Sequence, residues 1–335
     1  MVKTDQYFMQ KALDAAWHYQ GLTFPNPAVG AVIIDKHGDI LACGAHAYAG
    51  APHAEVVAIK EAYAKLTHDT KLLPITDAAQ IHEYLYANHK GVFYDKTIFI
   101  TLEPCNHFGK TPPCSQLLTT LHFKSVIIGT KDPNVNATGG YEKLQNACLH
   151  VKLSVLEDAC KLLLEPFSIW QKKPFVFFKI AMHKNGVIDG GIVTCKTSRT
   201  HVHSLRDKID LLVIGGNTVR NDRPILDARL VGGRAPDVLI YSKTKEFDRS
   251  IPLFAVPKRK VFIEDNLEKI NEYCFVMIEG GMQMYEQVQN RINWLLVYKS
   301  NCEKEGKKFI LQENLQELFT TKIATDTLTW YKKRC

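Results

Sequence analysis

The sequence contains no apolar run long enough to cross a membrane. Its longest, such as Phe175–Ile180, fall far short of the roughly 20 residues that a helical span needs. The polar start Met1–Val2–Lys3–Thr4–Asp5 holds no apolar core of a secretory signal, so a cytoplasmic protein is expected. A dense basic run is also missing. The nearest is Lys332–Lys333–Arg334, which reads as a frayed, solvated end. Lys and Arg total 42 against 35 Asp and Glu, a net charge of +7. That mild surplus suits an anionic small substrate and argues against nucleic acid. There is no internal repeat, no low-complexity segment and no G-x-G-x-x-G dinucleotide fingerprint. Nine cysteines are present without a framework of pairs. Cys43, Cys148, Cys160, Cys195, Cys274, Cys302 and Cys335 stand far apart and read as small apolar fillers or surface thiols. In a reducing compartment, clustered Cys and His point to metal binding or catalysis rather than disulfides, which singles out Cys105 and Cys114.

What is present supports two domains. At roughly 150 residues per domain, 335 residues make about two, and 46% apolar residues are enough for two cores. Phe8, Ala12, Leu13, Ala15, Ala16 and Tyr19 predict one buried helical face over residues 5–20. Val29–Ile34 reads as a strand closed by the turn Lys36–Asp39. A helix is expected over 54–66, strands over 97–102 and 125–129, and a helix over 115–121. Strands alternating with helices argue for an α/β layered domain. The polar stretch 67–96, with His68, His82 and His89 at no ligand spacing, reads as a solvated, partly helical surface insertion. Residues 1–150 are assigned to a first domain, 151–173 to a connecting segment and 174–335 to a second domain. The second shows strand runs at 175–181, 211–215, 238–241, 261–263, 275–278 and 294–298.

In the first half, His53–Ala54–Glu55 stands at an expected helix start. Glu103–Pro104–Cys105 and Pro112–Pro113–Cys114 follow about fifty residues later. One His and two Cys are a borderline-soft donor set suited to Zn²⁺, and three protein ligands leave a fourth position for water. Zinc lowers the pKa of that water towards 7. Glu55, two residues from His53, could take the water's proton and return it to a leaving amine. H-x-E followed by P-C and a second Cys is the signature of zinc deaminases. The eight residues between Cys105 and Cys114 exceed the usual two. The bland alternative has His53 packed in a core, Glu55 answering a helix dipole and the cysteines inert.

In the second half, two apolar strands each end in a glycine pair: Leu211–Ile214 before Gly215–Gly216, and Phe275–Ile278 with Glu279 before Gly280–Gly281. Glycines after a strand and before a helix let backbone N–H groups approach a phosphate. Taken singly, each pair reads as a tight turn. Together they admit a nucleotide site.

Three segments resemble the bifunctional riboflavin-biosynthesis deaminase/reductase family: Pro25–Gly30, Gly50–Val56 and the run from Thr101 through Glu103–Pro104–Cys105 to Cys114. The long Cys–Cys spacing is that family's own form of the site, and the resemblance spans essentially the whole chain. It implies a cytidine-deaminase-like three-layer α/β/α domain that hydrolyses the 2-amino group of a diaminohydroxy-phosphoribosylaminopyrimidine. A dihydrofolate-reductase-like α/β domain would follow, reducing the ribosyl group to ribityl with NADPH. By motif, His53, Cys105 and Cys114 would hold zinc and Glu55 would be catalytic. Asn26, His46, His107, Lys110, Asp132 and Asn134 would bind the deaminase substrate. Arg206, Leu226, Arg229 and Glu279 would bind the reductase substrate, the two arginines clamping its phosphate. Thr218, Asp222, Gly280, Gly281 and Lys179 would meet NADPH. The implied partners are phosphorylated pyrimidines, without nucleic acid or membrane, and a homo-oligomer is expected. Two departures fall near the reductase site. His183–Lys184–Asn185–Gly186–Val187 replaces the family's Ser-Leu-Asp-Gly-Arg/Lys, and Ile192 stands where a Trp usually precedes Ile-Thr-Ser. A reductase half kept only as a scaffold, and a nucleic-acid deaminase with an appended binding domain, remain as alternatives.

Overall fold

The computed structural model describes residues 4–107, 109, 112–134, 138–147 and 149–334. The chain divides into two compact units, residues 1–168 and 169–335. No helix among the described residues is long and apolar enough to cross a membrane.

The first unit begins with α1 (Asp5–Trp17), β1 (Gly30–Ile34), β2 (Ile40–Ala45), α2 (Ala54–Thr67) and α3 (Ala78–Asn88). It continues with β3 (Thr97–Leu102), α4 (Cys114–Leu121), β4 (Ser125–Thr130), α5 (Gly140–Asn146), β5 (His150–Lys152) and α6 (Glu157–Trp170), inside which the division falls. The sheet runs β2-β1-β3-β4-β5, antiparallel across β2, β1 and β3, and parallel from β3 to β5. Side chains alternate across a strand. Ala31, Ile33, Ile98, Ile100, Val126 and Ile128 therefore join the core built with α2 and α4. Phe99 points to the opposite face and meets Phe8 of α1 at 5.2 Å. Helices cover both faces, which explains why β1 and β4 are buried at every residue and read as continuous apolar runs. The α/β/α three-layer expectation is met.

Stretch 67–96 corrects the sequence reading. It is a structural part of the core, not a solvated insertion: Leu72, Ile81, Leu85 and Phe93 are fully buried, and His82 is 1% exposed. Burying a Leu or Ile side chain stabilises by about 1.5–3 kcal/mol, so α3 has ample reason to dock. Asp77 caps it by accepting from the Gln80 N–H at 2.9 Å. Polar composition hid this, because only one face of the helix is apolar.

The second unit contains β6 (Phe175–Met182), α7 (Lys196–Lys208), β7 (Leu211–Gly215), α8 (Gly216–Asp222), β8 (Asp237–Tyr241) and β9 (Val261–Glu264). Then come β10 (Phe275–Glu279), α9 (Met282–Val288), β11 (Trp294–Lys299), β12 (Leu315–Ile323) and β13 (Asp326–Lys333). The sheet order is β12-β13-β11-β6-β10-β7-β8-β9. From β11 to β9 all neighbours are parallel, and a hairpin of β12 and β13 adds an antiparallel edge. The hairpin corrects a second expectation. Lys332 and Lys333 do not fray; they pair with Gln316 and Leu315, and the Arg334 N–H donates to Asn314 O at 2.8 Å. Cys195 is not a bystander either. Its thiol accepts from the Ser198 N–H as the cap of α7, and its own N–H donates to Asp326 Oδ2 at 2.8 Å. Cys160 is a buried filler, while Cys43, Cys274 and Cys302 are exposed. Cys148 and Cys335 lie outside the described residues.

One glycine fixes how α2 lies on the sheet. A Cβ at Gly44 of β2 would sit 2.5 Å from Ala54 O and from Ala58 N, both in α2. Only a residue without Cβ permits this approach. Gly44→Ala is expected to destabilise the first unit by about 1–3 kcal/mol, read as a lower urea midpoint. An unchanged midpoint would show that α2 is not pinned there.

Candidate active sites

Two helix starts meet in the first unit. His53 directly precedes α2, with extended backbone and a ring that makes no capping bond. Cys114 is the first residue of α4, and Cys105 follows the end of β3. His53 Nδ1 lies 3.4 Å from Cys114 Sγ and 3.6 Å from Cys105 Sγ. A tetrahedral zinc with bonds of roughly 2.0–2.3 Å sets its ligand atoms about 3.5–3.8 Å apart. The triad therefore has the donor chemistry and spacing to hold zinc, and among the described residues it is the one such His/Cys/acid cluster. The backbone N–H of Cys114 donates to Cys105 Sγ at 3.3 Å, which favours a thiolate there. The hydrogen bond with the Cys114 side chain leads the effects that hold the Cys105 thiol down at about 4, and the His53 ring and then the Cys114 N–H add to it against burial.

Glu55 lies in the first turn of α2 and is 3% exposed. Burial raises its pKa, with His53 opposing. An upward shift suits a carboxyl that must both accept and return a proton. His46 comes from just past β2. Its Nδ1 contacts Pro52 O at 3.2 Å, and a carbonyl can only accept, so Nδ1 carries the proton. Nε2 then accepts from Asn26 Nδ2 at 3.1 Å, which points the Asn26 carbonyl oxygen away from the histidine. Burial drops the His46 pKa to about 4, so this neutral tautomer persists.

Asn26, His46, His53, Glu55, Cys105, His107, Asp132 and Asn134 all line one cavity of about 300 Å³. Lys110 lies outside the described residues. Sequence reasoning missed Glu103 and Phe167 in the lining. The buried Glu103 carboxylate accepts the N–H groups of Asp132, Gly139 and Tyr141 at 3.0–3.2 Å, tying the Asp132 loop to the end of β3. Its place in the Glu-Pro-Cys triplet was the available signal.

In the second unit, two clefts open at the carboxyl ends of the parallel strands, where open α/β sheets bind ligands. The larger, about 670 Å³, is lined by Gly215, Gly216, Thr218 and Gly281, together with Arg220, Lys243, Lys307 and Lys308. Among the described residues no carboxylate lines it. The other, about 450 Å³, is lined by Lys179, Arg206 and Arg229, with Arg199 and His203 beside them. Glu279 sits opposite Lys179 in the parallel register and meets Arg206 Nη2 at 3.0 and 3.1 Å. Burial alone would raise the Glu279 pKa, but Arg206 and Lys179 hold it below the ordinary value. Desolvation pulls the Lys179 ammonium down. Arg229 pairs with Asp227 Oδ1 at 2.5 Å. Asp222 ends α8 and is exposed, and Leu226 is buried with a left-handed φ of 58°. Neither lines the two clefts, nor does Gly280, whose Cβ would meet Met284 at 2.6 Å. At the divergent loop, His183 Nδ1 meets Ser300 Oγ at 3.2 Å and Ile192 is 72% exposed at the smaller cleft.

Residues 2–130 match the family model of the cytidine and deoxycytidylate deaminase zinc-binding region. The chain is 32% identical over 309 residues to riboflavin biosynthesis protein RibD of Synechocystis, covering 89% of this chain and 76% of that protein. It is 31% identical to RibD of Actinobacillus pleuropneumoniae, covering 94% and 74%. The fold is similar to the crystal structure of a diaminohydroxyphosphoribosylaminopyrimidine deaminase/5-amino-6-(5-phosphoribosylamino)uracil reductase from Thermotoga maritima. That match has a TM-score of 0.64 and 26% identity over 98% of both chains. The Acinetobacter baumannii RibD fold also matches, with a TM-score of 0.62 at 22% identity and 99% coverage of both chains.

Removing one thiolate should empty the triad. Cys114→Ser is expected to cut bound zinc from about one per chain to less than about a tenth, measured by elemental mass spectrometry. Zinc retained at full stoichiometry would show that Cys114 is not a ligand.

Proposed function

This chain belongs to the riboflavin biosynthesis protein RibD family, and we propose that its first unit deaminates a diaminohydroxy-phosphoribosylaminopyrimidine while its second reduces the deaminated product with NADPH. Residues 1–150 carry the first reaction and 174–335 the second, joined by 151–173. The observation that carries the reading is the His53–Cys105–Cys114 triad at zinc spacing with the buried Glu55 beside it, all in one cavity.

A bound zinc held by His53, Cys105 and Cys114 supplies a Lewis acid and a water that ionises near neutral pH. Glu55 takes a proton at its carboxylate and delivers it to the departing amine, so ammonia leaves neutral. Asn26, oriented through His46, presents its side-chain carbonyl to ring N–H groups. Asp132 and Asn134 close the opposite wall with His107, and Lys110 adds a point charge for the phosphate.

In the second unit, bound NADPH supplies the hydride, and the protein supplies orientation and charge. The larger cleft suits that cofactor because its lining is cationic and glycine-bearing. Thr218 and Gly281 meet the cofactor from that lining, whereas Gly280 and Asp222 lie outside it. Glu279 ends β10 opposite Lys179 of β6, and Leu226 lies outside both clefts. Arg206 and Arg229 hold the substrate phosphate; the Arg206 Nε–H is buried and makes no bond to protein.

Glu55→Gln is expected to lower ammonia release from the pyrimidine ribotide at least about a thousandfold, with zinc content unchanged. Turnover within tenfold of wild type would remove Glu55 from the mechanism. A coupled assay of ammonia release and NADPH oxidation tests the whole. NADPH consumption absent in folded, zinc-loaded protein given deaminated product would reduce the second unit to a scaffold.

A further inference from the structure

The segment that carries Arg229 to the smaller cleft is tied down along its length. Residues 223–226 are bonded to residues 248–259, the stretch that leads into β9. Arg223 Nη1 donates to Asp248 Oδ2 and its Nη2 to Ser250 Oγ, both at 2.7 Å. The N–H of Leu253, a fully buried residue, donates to Pro224 O at 3.1 Å. Arg259 takes the next two carbonyls: Nη1 donates to Ile225 O at 2.7 Å and Nη2 to Leu226 O. Arg206 Nη1 then donates to Asp227 O at 3.4 Å. Every carbonyl from Pro224 to Asp227 is thus held before the chain reaches Arg229.

The two Arg259 bonds fall on either side of the strained residue. Leu226 is 5% exposed and has a φ of 58°. A left-handed backbone is unfavourable for a residue with a Cβ and persists only where its surroundings enforce it. Successive carbonyls of an extended chain point to opposite sides. The left-handed turn brings those of Ile225 and Leu226 to one side, where a planar guanidinium fork can take both. Burial lowers the Arg259 pKa to about 10, which leaves the group charged at neutral pH. Arg259 itself lines neither cleft, whereas Pro224 and Arg229, on the two sides of the turn, both line the smaller one.

We propose that Arg259 is a positioning residue for the reductase reaction: by clamping the turn at Leu226 it sets Arg229 in the smaller cleft, and so sets how tightly that cleft holds its phosphorylated substrate. The inference rests on the reductase reading. Arg259 acts through the backbone between Pro224 and Arg229, with no contact to either ligand. A phosphate held alike in the ground state and the transition state affects KM rather than kcat, so loss of the clamp should appear in KM.

Steady-state kinetics and amide hydrogen exchange on the full chain test this. Arg259→Met keeps an unbranched buried side chain and removes the fork. It should raise KM for the deaminated ribotide about ten- to a hundredfold. Its kcat and NADPH KM should stay within about threefold of wild type. Arg259→Lys should recover only part, since one ammonium replaces a paired donor. In an Arg229→Ala background, Arg259→Met should cost little more, because the two act through one contact. Additive losses overturn the proposal, and so does an unchanged KM in Arg259→Met. Hydrogen exchange, which needs no substrate, should quicken across residues 225–232 in Arg259→Met and stay as in wild type in β7 and β10. Exchange that quickens throughout the second unit would make Arg259 a general support of the fold and overturns the proposal as well. Wild type that oxidises no NADPH with the ribotide sinks the reductase reading beneath it, and exchange alone then shows whether the clamp exists.

Discussion

The first unit depends on one convergence: two helices must begin at the same point above the sheet. His53 ends the segment before α2, and Cys114 begins α4, so the start of each helix brings one metal-competent atom to the site. Thiolates are costly to bury alone, and a backbone N–H at the start of α4 already donates to Cys105. The surrounding architecture serves this placement. Gly44 lets α2 settle against β2, Glu103 ties the Asp132 loop to the strand that delivers Cys105, and α3 packs behind α2 and α4. The stretch 67–96 thus belongs to the support of the site.

The second unit solves a different problem, which is concentrating cations without losing the fold. Lys179, Arg206 and Glu279 meet at neighbouring strand and helix positions, and the carboxylate balances the two cations where water is scarce. Removing one member of such a group leaves the others uncompensated, so these charges stand or fall together. Among the described residues lining the larger cleft, no acid answers Arg220, Lys243, Lys307 or Lys308. The two clefts differ in this respect. One holds its charge in internal balance, and the other carries a positive surplus.

Much of this could be read along the chain. The strand at 97–102 is found where the apolar run lies, and β7 matches the run at 211–215. The zinc-competent triad was legible because its residue types are chemically unusual and its motifs are local. The hairpin of β12 and β13 was not, since both strands alternate weakly and carry several Lys and Thr residues. Arg220, Ser242 and Lys243 were invisible as a group, because a strand and a helix separate them in sequence and only the parallel register brings their loops together.

The sequence by itself determined the alternation of strands and helices, the candidate donors His53, Cys105 and Cys114, the carboxyl group of Glu55 beside them, and the two glycine-ended strands. Each is a matter of local periodicity or residue chemistry, which folding does not alter. Only the tertiary structure decided that His82 is buried, that Glu103 braces a loop and that Lys332 pairs in a sheet. It also decided that Arg206 faces Glu279, and that four cations share one cleft without an acid. Those facts depend on which face of an element is covered and on which strand ends lie side by side. Strand order and helix packing fix both, through contacts between residues tens to more than a hundred positions apart.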